Sequence, residues 1–175
     1  QAALGEAGLA QDVLALAESH EEIDELLECE GDIDLLIPRG SNAFVSYIMN
    51  HTKIPVMGHS AGVCHVYVDR SADQDMAAKI VVDAKTQYPA VCNAAETLLV
   101  DAPIAEEFLS KAARALAEKG ARLRASGEAL AILSKVSGIP EVEPMGEDEY
   151  GTEYGGYVMS CKVVDGVEGA VAHIN

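Results

Sequence analysis

Two spacings of apolar residues alternate along this chain, one recurring every third or fourth position and one filling short continuous runs. The first marks amphipathic helices and the second buried strands. Residues 1–8 read as the end of a helix, and DVLALA (12–17) as a buried strand. HEEIDELLE (20–28) places Ile23, Leu26 and Leu27 on one helical face. Gly31 interrupts, and DIDLLIP is a short β-like run ending in proline. Ser41 stands where a cap would start a helix over NAFVSYIMN, with Phe44, Tyr47 and Ile48 sharing a face.

IPVMG and GVCHVYV (62–68) read as strands, and DQDMAAKIVVDAK as a helix capped by Ser71 or Asp73, with Met76, Ile80 and Val81 at helical spacing. After the YPAVC loop come a strand at ETLLV (96–100) and a helix from Pro103 to Lys119 that Gly120 ends. ARLRA is a weaker strand, and the Gly-, Pro- and acid-rich stretch 137–156 a loop. YVMSCKVV is the last strand, and VEGAVAHIN opens a helix. This alternation predicts an α/β protein with a parallel sheet and helices on both faces. The chain begins and ends inside elements, as an internal segment of a longer protein would.

Composition narrows the function. With 175 residues, 49% of them hydrophobic, the chain can bury a sizeable core. No run approaches the roughly 18 apolar residues of a membrane span, and the N-terminus lacks the basic and apolar sequence of a signal peptide. A soluble, cytoplasmic protein is expected, with no membrane partner. The net charge of −17, from 29 acidic and 12 basic residues, repels phosphate backbones and excludes nucleic acid as a partner. Four cysteines without a C-x-x-C pair or a zinc-like histidine spacing predict neither a metal site nor a disulfide framework.

Two stretches carry candidate chemistry. LLIPRGSNAF runs strand, turn, helix, and so aims the N–H groups of Gly40, Ser41 and Asn42 above the strand end, where a helix N-terminus favours anions and Arg39 adds a positive charge. Gly-Ser at such a turn is equally ordinary capping, and no G-x-G-x-x-G accompanies it. Cys29, Cys64 and Cys161 lie in or beside apolar runs and read as core. Cys92 instead sits in a loop between helix and strand, behind Pro89 and beside the polar Asn93, where reactive groups are commonly placed. Pattern alone leaves packing and reaction both open for it.

The runs IPVMGHSAGVCHVYVD and DMAAKIVVDAKTQYPAVCNAAETLLV, with DIDLLIPRGS upstream and TEYGGYVMSCKVVDGVEGAVAHIN downstream, closely resemble the gamma-glutamyl phosphate reductase family, also called glutamate-5-semialdehyde dehydrogenases. This family looks like a branch of the aldehyde dehydrogenase superfamily. The resemblance implies an aldehyde-dehydrogenase-like α/β fold built from parts of two Rossmann-like three-layer α/β/α domains. Residues 1–53 would be the C-terminal part of the NADP-binding domain and residues 54–175 the N-terminal part of the catalytic domain.

The same resemblance implies roles. Cys92 would be the nucleophile that takes the acyl group of L-glutamate 5-phosphate, with NADPH reducing the thioester in proline biosynthesis. Arg39, Gly40 and Ser41 would lie beside the cofactor pyrophosphate, and Glu153 would match the glutamate that binds the nicotinamide ribose, although Gly155 and Gly156 depart from the branch's usual Leu-Asp. Glu153 reads equally as a solvated loop carboxylate. Gly58, His59, Ser60 and Asn93 would line the substrate site, His59 also fitting a turn histidine. Met57 falls where hydrolytic relatives carry a water-activating glutamate. The parent could be a monofunctional reductase, a homo-oligomer with glutamate 5-kinase as a possible partner, or the reductase part of a bifunctional pyrroline-5-carboxylate synthase. A non-catalytic truncated nucleotide-binding module is the remaining alternative.

Overall fold

A computed structural model describes residues 2–10, 13–58 and 61–175 of the chain. It divides into two compact units, residues 1–60 and 61–175. Among the described residues no helix is long and apolar enough to cross a membrane.

The first unit holds three helices, α1 (Ala2–Glu6), α2 (His20–Leu27) and α3 (Asn42–His51). Ser19 starts α2 through a capping box with Glu22, each side chain accepting from the other's backbone N–H. Ser41 Oγ accepts from Phe44 N–H and starts α3, as the sequence predicts. Thr52 Oγ1 donates to the Leu27 carbonyl (2.7 Å) and Tyr47 Oη to Asp24 (3.1 Å), tying α3 to α2 around buried Leu27, Val45, Ile48 and Ile54.

The strands expected in this unit do not form. DIDLLIP and IPVMG contribute a single parallel bridge, Leu36 to Val56. Residues 13–17 are not a strand, and Leu16 is 81% exposed; Asp12 lies outside the described residues. An apolar run becomes a strand only when a neighbour accepts its backbone hydrogen bonds, and the described residues of this unit offer no sheet edge to it.

The second unit is a five-stranded, all-parallel sheet of order β1-β2-β5-β3-β4, where β1 is Cys64–Val68, β2 Ala95–Asp101, β3 Arg122–Ala125, β4 Glu143–Pro144 and β5 Val158–Val164. Helices α4 (Gln74–Thr86), α5 (Ala105–Glu118) and α6 (Gly127–Leu133) connect β1 to β2, β2 to β3 and β3 towards β4. They pack on one face against Leu98, Val100, Leu123, Met159 and Cys161. Helix α7 (Gly166–Ile174) covers the opposite face over Leu99, Val164 and Tyr67. Every residue of β2 is buried, as a central parallel strand requires. Each fully buried leucine there contributes roughly 2 kcal/mol.

Local signals explain the element ends. Asp73, one of the two caps expected for α4, accepts from the N–H groups of Asp75 and Met76. Gly120, at φ +79°, turns the chain out of α5 in the left-handed region that favours glycine. Of the apolar residues read for α4, Val81 is buried as expected, but Met76 and Ile80 are 57% and 52% exposed and Ala77, Ala78 and Lys85 are buried beside Val81 in their place. Apolar residues occupy two stripes of this helix, and the alanine stripe lets it approach the sheet and α5 closely. Helix α6 is an element the sequence reading left out.

The acidic stretch 137–156 is not a freely solvated loop. Its Glu143 pairs with Arg122, its Glu147 with Lys162 and Ser126, and its Glu149 with Arg124 (2.7 Å). Tyr150 Oη donates to the Cys161 carbonyl (2.9 Å) and Tyr154 Oη meets Ser160 Oγ (2.9 Å). These partners alternate along β3 and β5 with residues of the α5 and α6 core, so the segment shares the α7 face of the sheet. The Lys162 ammonium holds the Glu147 carboxyl below the usual carboxylate range; the Gly146 N–H, then Arg124, do the same for Glu149.

Candidate active site

Parallel pairing puts the starts of all five strands at one edge of the second unit, and this edge gathers the candidate residues of that unit. The loop 87–94 enters β2 there, carrying Cys92 and Asn93, both exposed. Two short bonds shape it, from Val91 N–H to the Tyr88 carbonyl (3.3 Å) and from Ala94 N–H to the Val91 carbonyl (3.0 Å). Among the described residues, no hydrogen bond engages the N–H groups of Cys92 and Asn93. The exposed thiol thus lies next to two backbone N–H groups that these bonds leave open.

The other cysteines divide as their surroundings dictate. Cys161 is buried among core residues, and burial pushes its thiol up to about 12, so it stays protonated and inert. Cys29 and Cys64 are half-exposed rather than core. Cys64 Sγ lies 3.5 Å from the Cys92 carbonyl and donates to it. All four are free thiols.

Gly62, which no sequence signal singles out, presses on the same carbonyl. A β-carbon at Gly62 would stand 2.1 Å from Cys92 O and 3.0 Å from Cys92 C, a backbone clash with no flexible side chain to yield. Gly62→Ala is expected to move the Cys92 backbone and lower kcat in the complete protein about a hundredfold, the cost of misplacing a reacting group by about 1 Å. Steady-state kinetics beside a circular dichroism spectrum of native shape would check it; an unchanged kcat would refute the contact's importance.

Glu153 reaches the same edge on the loop before β5. In the two residues after it, Tyr154 Oη meets Ser160 Oγ and Gly155 N–H donates to Glu96 Oε1 (3.3 Å). Glu96 in turn pairs with Lys85 of α4 at 2.6 Å, with Lys85 0% and Glu96 1% exposed. The sequence does carry a signal for this pair: a lysine in phase with the buried Ala78 and Val81, and a glutamate opening an apolar strand.

Arg39, Gly40 and Ser41 belong to the first unit, in the exposed turn that starts α3. A β-carbon on Gly40 would meet Phe44 Cδ1 at 2.9 Å, so the turn is held close to its helix. Gly58 packs on Met49 and Val45 of the same unit, and Met57 is exposed with its N–H bonded to the Leu36 carbonyl (2.8 Å). His59 and Ser60 lie outside the described residues.

The opposite edge of the sheet, at the strand ends, carries an ion pair. Asp101 is fully buried there and accepts from Arg70 Nε (2.6 Å), Nη2 (3.2 Å) and N–H, and from Gly166 N–H (3.0 Å). The Arg70 guanidinium holds its carboxyl below the usual range. This pair sits at the point where β2 and β5, neighbours in the sheet, send their helices to opposite faces.

The second unit is thus a parallel α/β sheet that presents an exposed cysteine at its strand-start edge. The chain belongs to the aldehyde dehydrogenase family, whose sequence profile matches residues 1–125. Within that family it is similar to the gamma-glutamyl phosphate reductase of Synechococcus sp. (strain JA-3-3Ab), 50% identical over 164 residues, which make up 94% of this chain and 35% of that protein. The gamma-glutamyl phosphate reductase of Natronomonas pharaonis is 49% identical over 160 residues, 91% of this chain and 35% of that protein. The crystal structure of gamma-glutamyl phosphate reductase from Thermotoga maritima superposes with a TM-score of 0.80 at 35% identity, covering 89% of this chain and 36% of that one. Betaine aldehyde dehydrogenase from Staphylococcus aureus, at 16% identity and a TM-score of 0.66 over 93% of this chain and 41% of that one, shares the fold. The chain thus spans about a third of the length of the curated relatives it matches.

Proposed function

We propose that the complete protein is an NADPH-dependent reductase of L-glutamate 5-phosphate, acting in proline biosynthesis through a thioacyl intermediate on Cys92. The observation that carries this reading is the exposed Cys92 thiol flanked by two backbone N–H groups, in a chain about 50% identical to gamma-glutamyl phosphate reductases. Residues 1–53 are assigned to the end of the cofactor domain and residues 54–175 to the start of the catalytic domain.

Cys92 thiolate attacks the acyl carbon, its new C–S bond replacing the C–O bond to phosphate, which leaves with the electron pair. The N–H groups of Cys92 and Asn93 receive the oxyanion as the tetrahedral centre forms and collapses. A reduced nicotinamide, when bound, supplies the hydride for the thioester carbon. Collapse of the resulting thiohemiacetal breaks the C–S bond, returns the thiolate and releases glutamate 5-semialdehyde.

The residues present fit such a cofactor. The α3 turn offers Arg39, Gly40 and Ser41 in exposed positions. Ser41 Oγ spends a lone pair on Phe44 N–H and keeps its proton to donate to a phosphate oxygen. Glu153 is assigned to the nicotinamide ribose, with the two residues that follow it, Tyr154 and Gly155, anchored to Ser160 and Glu96. Met57, exposed and without an ionisable group, supplies no base to activate water, which suits an enzyme that must keep its acyl group for reduction. Gly58, His59, Ser60 and Asn93 are assigned to the substrate site.

Glutamate 5-semialdehyde oxidation by the complete protein tests this reading. Turnover is expected with NADP and only when phosphate is added. Phosphate-independent, NAD-linked oxidation of simple aldehydes would point to an ordinary aldehyde dehydrogenase instead, and no turnover in either assay to a non-catalytic module.

A further inference from the structure

We infer that the buried Lys85–Glu96 ion pair is a positioning device that locks the Cys92 loop to the Glu153 loop. This inference rests on the role of Cys92 proposed above. Lys85 stands in the last turn of α4 and Glu96 is the second residue of β2, so the pair closes the two ends of the nucleophile loop against each other. Glu96 then uses its second oxygen for Gly155 N–H, two residues beyond Glu153. Another tie runs from Tyr157 Oη to the Thr86 carbonyl, one residue after Lys85 (3.4 Å). Three segments of distant sequence therefore meet at one carboxylate beneath the loop that carries the thiol.

The sheet makes room for this junction. The β1–β2 register slips between Cys64 and His65, which pair with Ala95 and Thr97, leaving Glu96 as the extra residue of a bulge. Bulges recur beside functional sites because they re-aim one side chain and bend the strand that carries it. Stability alone does not account for the pair, since apolar side chains of similar volume often replace a buried ion pair at little or no cost. A carboxylate does what they cannot: it neutralises Lys85 on one side and accepts Gly155 N–H on the other.

The test is a pair of double variants in the complete protein. Lys85→Met with Glu96→Met removes both the charge and the acceptor for Gly155; Lys85→Met with Glu96→Gln removes the charge and keeps a carbonyl acceptor. The first is expected to melt within a few degrees of the parent, with kcat about tenfold to a hundredfold lower and a raised cofactor KM. Alkylation of Cys92 by iodoacetamide at fixed pH is expected to change several-fold in the same variant. The Gln variant should recover most of the cofactor KM, and it carries the test if the Met variant does not fold. Parental kcat, cofactor KM and alkylation rate together in the folded Met variant would overturn the inference, as would a parental alkylation rate in the Gln variant should the Met variant not fold. Turnover surviving in Cys92→Ser would overturn the proposed function instead, and the alkylation arm, which needs no substrate, would still read the positioning.

Discussion

Replacing Cys92 by serine is expected to abolish phosphate-dependent oxidation of glutamate 5-semialdehyde by the complete protein, a fall of about 10³-fold or more, while NADPH still binds. The oxygen of serine is a far weaker nucleophile near neutral pH than a thiolate, and no basic side chain bonds to the Cys92 thiol among the described residues to activate a hydroxyl in its place. An oxygen ester would also accept hydride less readily than a thioester, so the substitution damages both halves of the reaction. The binding arm separates chemistry from folding: cofactor titration by fluorescence should give a Kd close to that of the parent. Turnover near the parental rate would remove Cys92 from the mechanism, and with it the reductase reading.

Lys85→Met alone should be strongly destabilising, costing about 3–5 kcal/mol. The substitution leaves the Glu96 carboxylate buried at 1% exposure with only the Gly155 N–H to compensate it. Against a typical stability of about 5–15 kcal/mol this is a large fraction, and it corresponds to a fall in Tm on the order of 10 °C for a chain of this size. Thermal melts followed by circular dichroism would measure it. Adding Glu96→Met to the same protein should restore most of the loss, because the cost lies in an unpaired buried charge and not in missing attraction. A melt for Lys85→Met equal to the parent's would show that the pair carries no such penalty.

The two substitutions differ in how visible their residues are in the sequence. Cys92 announces itself by position, between Pro89 and an apolar run, and the long match of its surroundings supplies its role. Lys85 and Glu96 are eleven residues apart on elements that the pattern reading handles separately. Their meeting follows from how α4 lies across the sheet. The helix rotates its alanine stripe inward, Met76 and Ile80 face outward, and Lys85 is carried into the interior where Glu96 waits. Periodicity could not choose between two apolar stripes of similar strength, because the choice depends on the surface the helix packs against. Gly62 is a further case: a glycine ahead of a strand looks like any turn residue until the Cys92 carbonyl arrives at its α-carbon.

By itself the sequence determined the alternation of helix and strand in the second unit, the caps at Ser41 and Asp73, the stop at Gly120 and the loop that holds Cys92. All of these are short-range: a cap, a turn or a period is satisfied by residues within a few positions of one another. Tertiary structure alone decided that β5 inserts between β2 and β3, that the acidic segment 137–156 pairs with Arg122, Arg124 and Lys162, and that residues 13–17 do not form a strand. It alone brought Cys92, Gly62, Cys64 and Glu153 to the starting edge of one sheet while Asp101 and Arg70 paired at the other. Strand order and buried charge pairing join residues tens of positions apart, and their energies are settled by which partners the whole chain leaves available.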